Sequence, residues 1–490
     1  MLNSIVRSTL LVSFAAFLSS SVSWKVPPRT LSPAKTATPT DASTGPQLYV
    51  STSGDDANSG TSLSAPWRTI QKAMNSATAG STVNILAGTY NERLTLGVSG
   101  TTGNYITFQP YGFTVPTGGC GGYTGTPCGG DQVVLDYAYL GTVTDGVPFL
   151  LVSGKSYLRI QGLTFQNFTT LGAMQQGTRI DGGSSFVEFN YNKFLNNKDT
   201  GPWNGTSAFL HIRLWSSSNI LFHGNEIGNI VSNYSEAMTA DSGSTGFTAE
   251  YNWIHDTDAI AMDVHNGANN YTIRGNKLEY ISIKRDGTIW YNNPAVAIYN
   301  DGGNTGVMER NSVSYAGVGF QALAEPGMPA AHDVTVRNNI AQHCQAGIVL
   351  GTWYSSTDGS TVYNINVFNN TFYGNGNGVI IRPMVSATVT WENNVFANNG
   401  TNYINTLNWN PGNTNYNLYF GGGVGPGINV LTLDPLFNNA LAGDFTLQSA
   451  SPAINAGDPN TSTSAAGTVD FAGNPRILGG RIDIGAYESH

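Results

Sequence analysis

The chain is sparing with charge. Only 11% of its 490 residues are Asp, Glu, Lys or Arg, against roughly 25% in an ordinary globular protein. Yet charged side chains recur at matching places in a series of β-prone phrases. AFLHIRLW carries Arg213, EAMTADSG carries Asp241, AIAMDVHN carries Asp263 and His265, and VAIYNDGG carries Asp301. Aligned as β runs, these phrases place Arg213, Asp241, Asp263 and Asp301 in one column, with Gly351 and Arg382 further along it. Glu325, in VGFQALAEPG, lies one phrase beyond Asp301 and two residues further on. Carboxyl groups held this close resist ionising together. Two carboxyls flanking a glycosidic bond can divide the chemistry between them. One protonates the leaving oxygen, and the other attacks the sugar or activates water. Asp301 and Glu325 are the candidate catalytic pair. Arg213, Asp241, Asp263 and His265 are candidate ligands for sugar hydroxyls. Trp353, Trp215, Trp290 and Tyr354 are candidate platforms for sugar faces.

The same acids allow a second chemistry. Asp241, Asp263, Asp301 and Glu325 are oxygen donors of the kind Ca²⁺ takes in sixes to eights. A bound calcium would neutralise a uronate carboxylate while a base removes the C5 proton. Lys284 and Arg285, in EYISIKRDGTIWYNNP, are then the candidate base and neutraliser. The hydrolytic reading needs no cofactor or metal, and Ca²⁺ belongs only to the lyase or epimerase reading. A third possibility is a non-catalytic surface that binds carbohydrate. A net charge of −9 does not favour an acidic polymer. No basic stretch interleaves with aromatics, so nucleic acid is not expected as a partner.

The elements that must hold these residues follow from a repeat. A β-prone run, an Asn, one residue and an apolar residue recur in VEFNYNKF, ILFHGNEI, TAEYNWI, YTIRGNKL, GVMERNSV, VTVRNNI, INVFNNTF and VTWENNV. The recurring asparagines are Asn192, Asn225, Asn252, Asn276, Asn311, Asn338, Asn370 and Asn393. Each unit holds two or three short β runs separated by Gly and Asn, with no amphipathic helix. Self-similarity at such a period means a solenoid. Gly and Asn turn its corners at least cost, because both adopt left-handed conformations readily. The 59 Gly and 51 Asn of the chain are accounted for in this way. An all-β solenoid, a parallel β-helix, is expected.

Two longer phrases carry a resemblance. LYVSTSGDDANSGTSLSAPWRTIQKAMNSATAGSTVNILAGTYNERLTL resembles the opening of secreted right-handed parallel β-helix proteins. The resemblance extends from about residue 47 to 400. It implies a strand, a capping helix over the open core and a first coil. The tail from DPLFNNALAGDFTLQ to GAYES is similar to a small C-terminal β module that often follows such helices. AIYNDGGNTGVMERN and GFQALAEPG also resemble β-helix glycoside hydrolases that include β-xylosidases. That resemblance implies Asp301 as nucleophile and Glu325 as proton donor.

The ends complete the expected organisation. Residues 1–23 read as a secretory signal peptide, with Arg7 before an apolar run from Leu10 to Phe17. Residues 24–46 form a Pro/Thr/Ser-rich linker, 47–430 the β-helix and 431–490 the C-terminal module. A secreted or cell-surface monomer is expected, with no membrane span in the mature chain and an oligo- or polysaccharide as partner. Cys120 and Cys128 are expected to pair in a Gly-rich loop. Cys344 is expected to be a buried small hydrophobe.

Overall fold

The computed structural model describes residues 45–115, 132–204, 206–233, 235–290, 295–352, 361–382, 388–405 and 413–489. The expected signal peptide, nearly all of the linker, Cys120 and Cys128, Trp353 and Tyr354 lie outside the described residues.

Three long parallel sheets form the body, with 13, 12 and 11 strands. Each coil of the chain lays one strand in each sheet. One coil contributes Asn269–Arg274, Lys277–Ile281 and Val296–Asp301. The next lays Asn304–Glu309, Ser312–Ala316 and Val318–Ala324 beside them, all in parallel. The fold is a right-handed parallel β-helix. Inward side chains of all three sheets merge into one apolar cluster running from Leu48 to Tyr419. Equivalent residues of successive coils lie one strand spacing apart, about 4.8 Å. Aromatic rings therefore stack along the axis, as Phe189 does on Phe222 (4.7 Å) and Phe372 on Phe396 (5.0 Å).

The expected capping helix is Ile70–Ser76. It buries Ile70, Ala73 and Met74 in the same cluster as Val83 and Ile85 of the neighbouring strand. Its first-turn N–H groups have no partners within the helix. Glu92 accepts from the N–H groups of Ile70 and Gln71 at 3.0 and 2.9 Å, and the Thr69 hydroxyl accepts from Lys72.

A buried asparagine ladder follows the corner between the first and second sheets. It runs Asn192, Asn225, Asn252, Asn276, Asn311, Asn339, Asn370, Asn394 and Asn417. Each amide Nδ2 donates to the Oδ1 of the next at 2.9–3.2 Å. Each also donates to a strand carbonyl, as Asn276 does to Ala249. The sequence repeat is correct, but two of its members are displaced by one residue. Asn339 and Asn394 stand in the ladder, where Asn338 and Asn393 were expected.

Those two have another partner. Asn338 donates to the carbonyls of Ala466 and Val469, and Asn393 contacts Thr461 and the N–H of Asp458. Asn369 likewise donates to the carbonyl of Asp483. The C-terminal segment therefore packs along the side of the last coils. Its Phe445, Phe471, Ile484 and Ala486 share a second apolar cluster with Ile340, Tyr373, Val395 and Leu418 of the solenoid. Its strands Phe437–Asn439 and Asp444–Leu447 form a small antiparallel pair. Among the described residues no helix is long and apolar enough to cross a membrane.

Candidate active site

The site lies on the outer face of the 11-stranded sheet. Strands Phe209–Leu214, Glu236–Ala240, Ile260–His265, Val296–Asp301 and Val318–Ala324 run side by side there. Ile212, Met238, Met262, Ile298 and Phe320 point into the core. Alternation turns the residue that follows each of them outward.

Two outward rows result. One holds Arg213, Thr239, Asp263, Tyr299 and Gln321 in register. The other, two residues on, holds His265, Asp301 and Leu323. Asp241 extends this second row, because Ala240 is paired with Val264. Arg213, Asp241, Asp263 and Asp301 therefore share a face but not one column, which corrects the expected alignment. The cause is the period of two. A slip of two residues keeps every apolar side chain inward, so hydrophobic pattern alone fits either register.

The second row is a connected network. Arg213 donates to Asp241 Oδ2 through Nη2 (2.6 Å) and Nε (3.1 Å). His265 Nδ1 lies 3.1 Å from Asp241 Oδ1, and its Nε2 lies 3.7 Å from Asp301 Oδ2. Asp301 Oδ1 accepts from the backbone N–H of Glu325 at 3.2 Å. Glu325 Oε1 accepts from the hydroxyl of Tyr299 at 3.1 Å. Asp263 and Asp301 are buried, whereas Glu325 is partly exposed. Among the described residues the Oδ1 atom of Asp263 has no hydrogen-bond partner.

The network divides the acids. Burial works against a charge on Asp241, but the hydrogen bonds from His265, Ser242 and Arg213 hold its carboxyl well below the usual range. Burial pushes Asp301 the other way, and the neighbouring Glu325 adds to it, so that it titrates at about 7 despite His265. Asp263 is raised well above the ordinary carboxylate value, first by burial and then by Glu236, Asp301 and Glu325. Burial opposes the imidazolium of His265, yet Asp241, Asp263 and Asp301 raise it to about 10. The face thus sets a carboxyl held low, Asp241, and an imidazole held high, His265, beside two carboxyls held high, Asp263 and Asp301. Functional sites and structural ion-pair networks both concentrate perturbed titration in this way.

Glu236 is a member that sequence reasoning did not single out. It opens its strand five residues before Asp241 and accepts from Ser235 and Thr239. Burial raises its pKa, and the charges of His265 and Asp241 act on it. The available signal was another acid inside EAMTADSG. Tyr299, the second omission, is a strand tyrosine whose sequence carries no sign of its contact with Glu325.

Other candidates lie elsewhere. Arg285 makes a bidentate pair with Asp256 on the strand Trp253–Thr257 of the second sheet. Lys284 Nζ lies 4.3 Å from the ring centroid of Trp290. Neither forms an ion pair with the carboxylates of the row. Among the described residues no group of three or more His, Cys, Asp or Glu side chains has a geometry that could hold a metal ion. Cys344 is buried, and its thiol is pushed up to about 12, in keeping with an inert core position.

Residues 282–382, which include Asp301 and Glu325, match the family described as right handed beta helix region. Residues 52–96 match a family described as a protein of unknown function, DUF1565. The uncharacterized protein YwoF of Bacillus subtilis (strain 168) is 25% identical over 449 residues, covering 84% of this chain and 92% of YwoF. Among solved structures, XylC in complex with xylose is 12% identical with a TM-score of 0.47, covering 91% of this chain and 98% of XylC. The pectate lyase Pel9A is 16% identical with a TM-score of 0.43, covering 91% and 96%. The exopolygalacturonase from Thermotoga maritima is 10% identical with a TM-score of 0.44, covering 72% and 84%.

Proposed function

We propose that the chain is a secreted glycoside hydrolase whose catalytic pair is Asp301 and Glu325. The contact between them carries this reading: Asp301 Oδ1 lies 3.2 Å from the backbone N–H of Glu325, on an outward face of the sheet. Asp301 is deep and faces the imidazolium of His265, which suits a nucleophile or base that must become an anion. Glu325 is at the partly exposed rim, which suits a proton donor to a departing oxygen. Arg213, Asp241, Asp263, Glu236 and His265 supply donors and acceptors for hydroxyl groups.

A lyase acting on uronates is less well supported. Its expected base and neutraliser, Lys284 and Arg285, are engaged with Trp290 and Asp256. Arg213 and His265 are paired with carboxylates of the row rather than left for a substrate carboxylate. A purely binding surface leaves the crowding of acids without a purpose. Such crowding is costly, and costs of this kind persist mainly where function needs them.

Leaving-group dependence tests the assignment. An aryl glycoside with an acidic phenol departs without protonation, whereas a sugar alcohol does not. Glu325→Gln should retain most turnover of the former and lose at least about a hundredfold on an oligosaccharide. Equal losses on both would remove Glu325 from the donor role.

A further inference from the structure

The row that carries Asp301 continues beyond the carboxylates. Leu214 is paired with Ala240, and Ala240 with Val264, so Trp215 is in step with Asp241, His265 and Asp301. It lies three strand spacings from Asp301, about 14 Å along the solenoid axis. The two directions from Asp301 differ. Towards the C-terminal coils, Leu323 is 0% exposed and belongs to an apolar cluster with Val296, Tyr299, Ala346 and Val349. Towards the N-terminal coils the row opens, and Trp215 is 45% exposed.

Trp215 is also anchored. The Arg213 guanidinium lies 4.8 Å from the centroid of its ring and is itself held by Asp241. Asp241 in turn holds His265, which faces Asp301. A large apolar ring left to solvent gains nothing from water, and this one is tied through three charged groups to the proposed catalytic pair. The floor between them consists of charge pairs already matched to each other, which offers hydrogen bonds to hydroxyls and no unmatched cation to a carboxylate.

We infer that Trp215 is a distal subsite for a neutral oligosaccharide. The sugar chain lies along the axis, with its reacting bond at Asp301 and Glu325 and a remote ring stacked on the indole. This rests on the hydrolase reading for the location of the reacting bond. A monosaccharide at the carboxylates is too short to reach Trp215, so the subsite acts only on longer chains.

The test compares substrates of two lengths in the full chain. An aryl monoglycoside and a panel of neutral pentose and hexose tetrasaccharides are assayed with wild type, Trp215→Ala and Trp215→Phe. In Trp215→Ala the ratio of kcat/KM on the best tetrasaccharide to that on the monoglycoside should fall about tenfold, through KM. Trp215→Phe should restore most of it. An unchanged ratio overturns the subsite. If no glycoside is turned over, the hydrolase reading fails separately. Tryptophan fluorescence titrated with the same tetrasaccharides then decides. Saturable quenching lost in Trp215→Ala and kept in Asp301→Asn supports the subsite, and quenching independent of Trp215, or none, overturns it.

Discussion

At the scale of single residues, two aspartates of one row have opposite tasks. Asp241 accepts from Arg213 and His265 and is held as an anion. Asp301 has less help, and burial beside Glu325 keeps it protonated up to about pH 7. As the nucleophile or base Asp301 acts in its anionic form, so kcat/KM should rise as pH rises through about 7. The measurement is a pH–rate profile on an aryl glycoside with an acidic phenol, and a profile that falls through that range would contradict the role given to Asp301. The chemistry of these residues was legible as acids crowded in a chain short of charge. Their partners were not. Nothing in the sequence says that Tyr299 donates to Glu325, because that contact depends on the path of the chain after Ala324.

At the scale of elements, the corner between the first two sheets explains the composition. The residue before each ladder asparagine has positive φ, including Tyr191, Gly224, Tyr251 and Gly275. Tyr and Gly alternate there for a steric reason. A Cβ on Gly224 would meet the ring of Tyr191 at 2.7 Å, and one on Gly275 the ring of Tyr251 at 2.6 Å. In the last coils the same corner carries Asn338, Asn369 and Asn393, which hold the C-terminal segment instead. The doubled asparagines thus serve two surfaces, and the repeat alone could not say which member faced the core. Asn276 has both amide hydrogens and its Oδ1 engaged in the ladder. Asn276→Ala strands several buried groups, each costing about 1–3 kcal/mol. A total loss of roughly 3 kcal/mol is expected by chemical denaturation. Exposed Ser449→Ala, at a position without positive φ, should stay within about 0.5 kcal/mol. Similar values for the two would deny the ladder its role.

At the scale of the whole molecule, the solenoid converts a one-dimensional repeat into a surface. One sheet face repeated through successive coils places residues 24 or more apart in sequence within contact distance, as for Asp301 and Glu325. The opening phrase and the asparagine period made this architecture readable, since coils, corners and cap each have a local signature. The register between coils had no such signature. Loops of different length separate the strands, and hydrophobic alternation cannot distinguish a shift of two. The lateral packing of the C-terminal segment was equally hidden, because it relies on Phe445, Phe471 and Ile484 meeting Ile340, Tyr373 and Val395. That packing covers apolar side chains of the second sheet on the same coils that carry the end of the site sheet.

The central claim is that Asp301 does chemistry on a glycosidic bond. It is tested most directly by turnover of a panel of aryl glycosides by wild type and Asp301→Asn, with circular dichroism to verify that the coils are intact. Asp301→Asn replaces the carboxyl with an amide of similar size, so the fold should survive. A loss of at least about a thousandfold in kcat is expected on whichever glycoside the wild type accepts, roughly 4 kcal/mol in the barrier. Turnover by the folded variant at the wild-type rate would contradict the account.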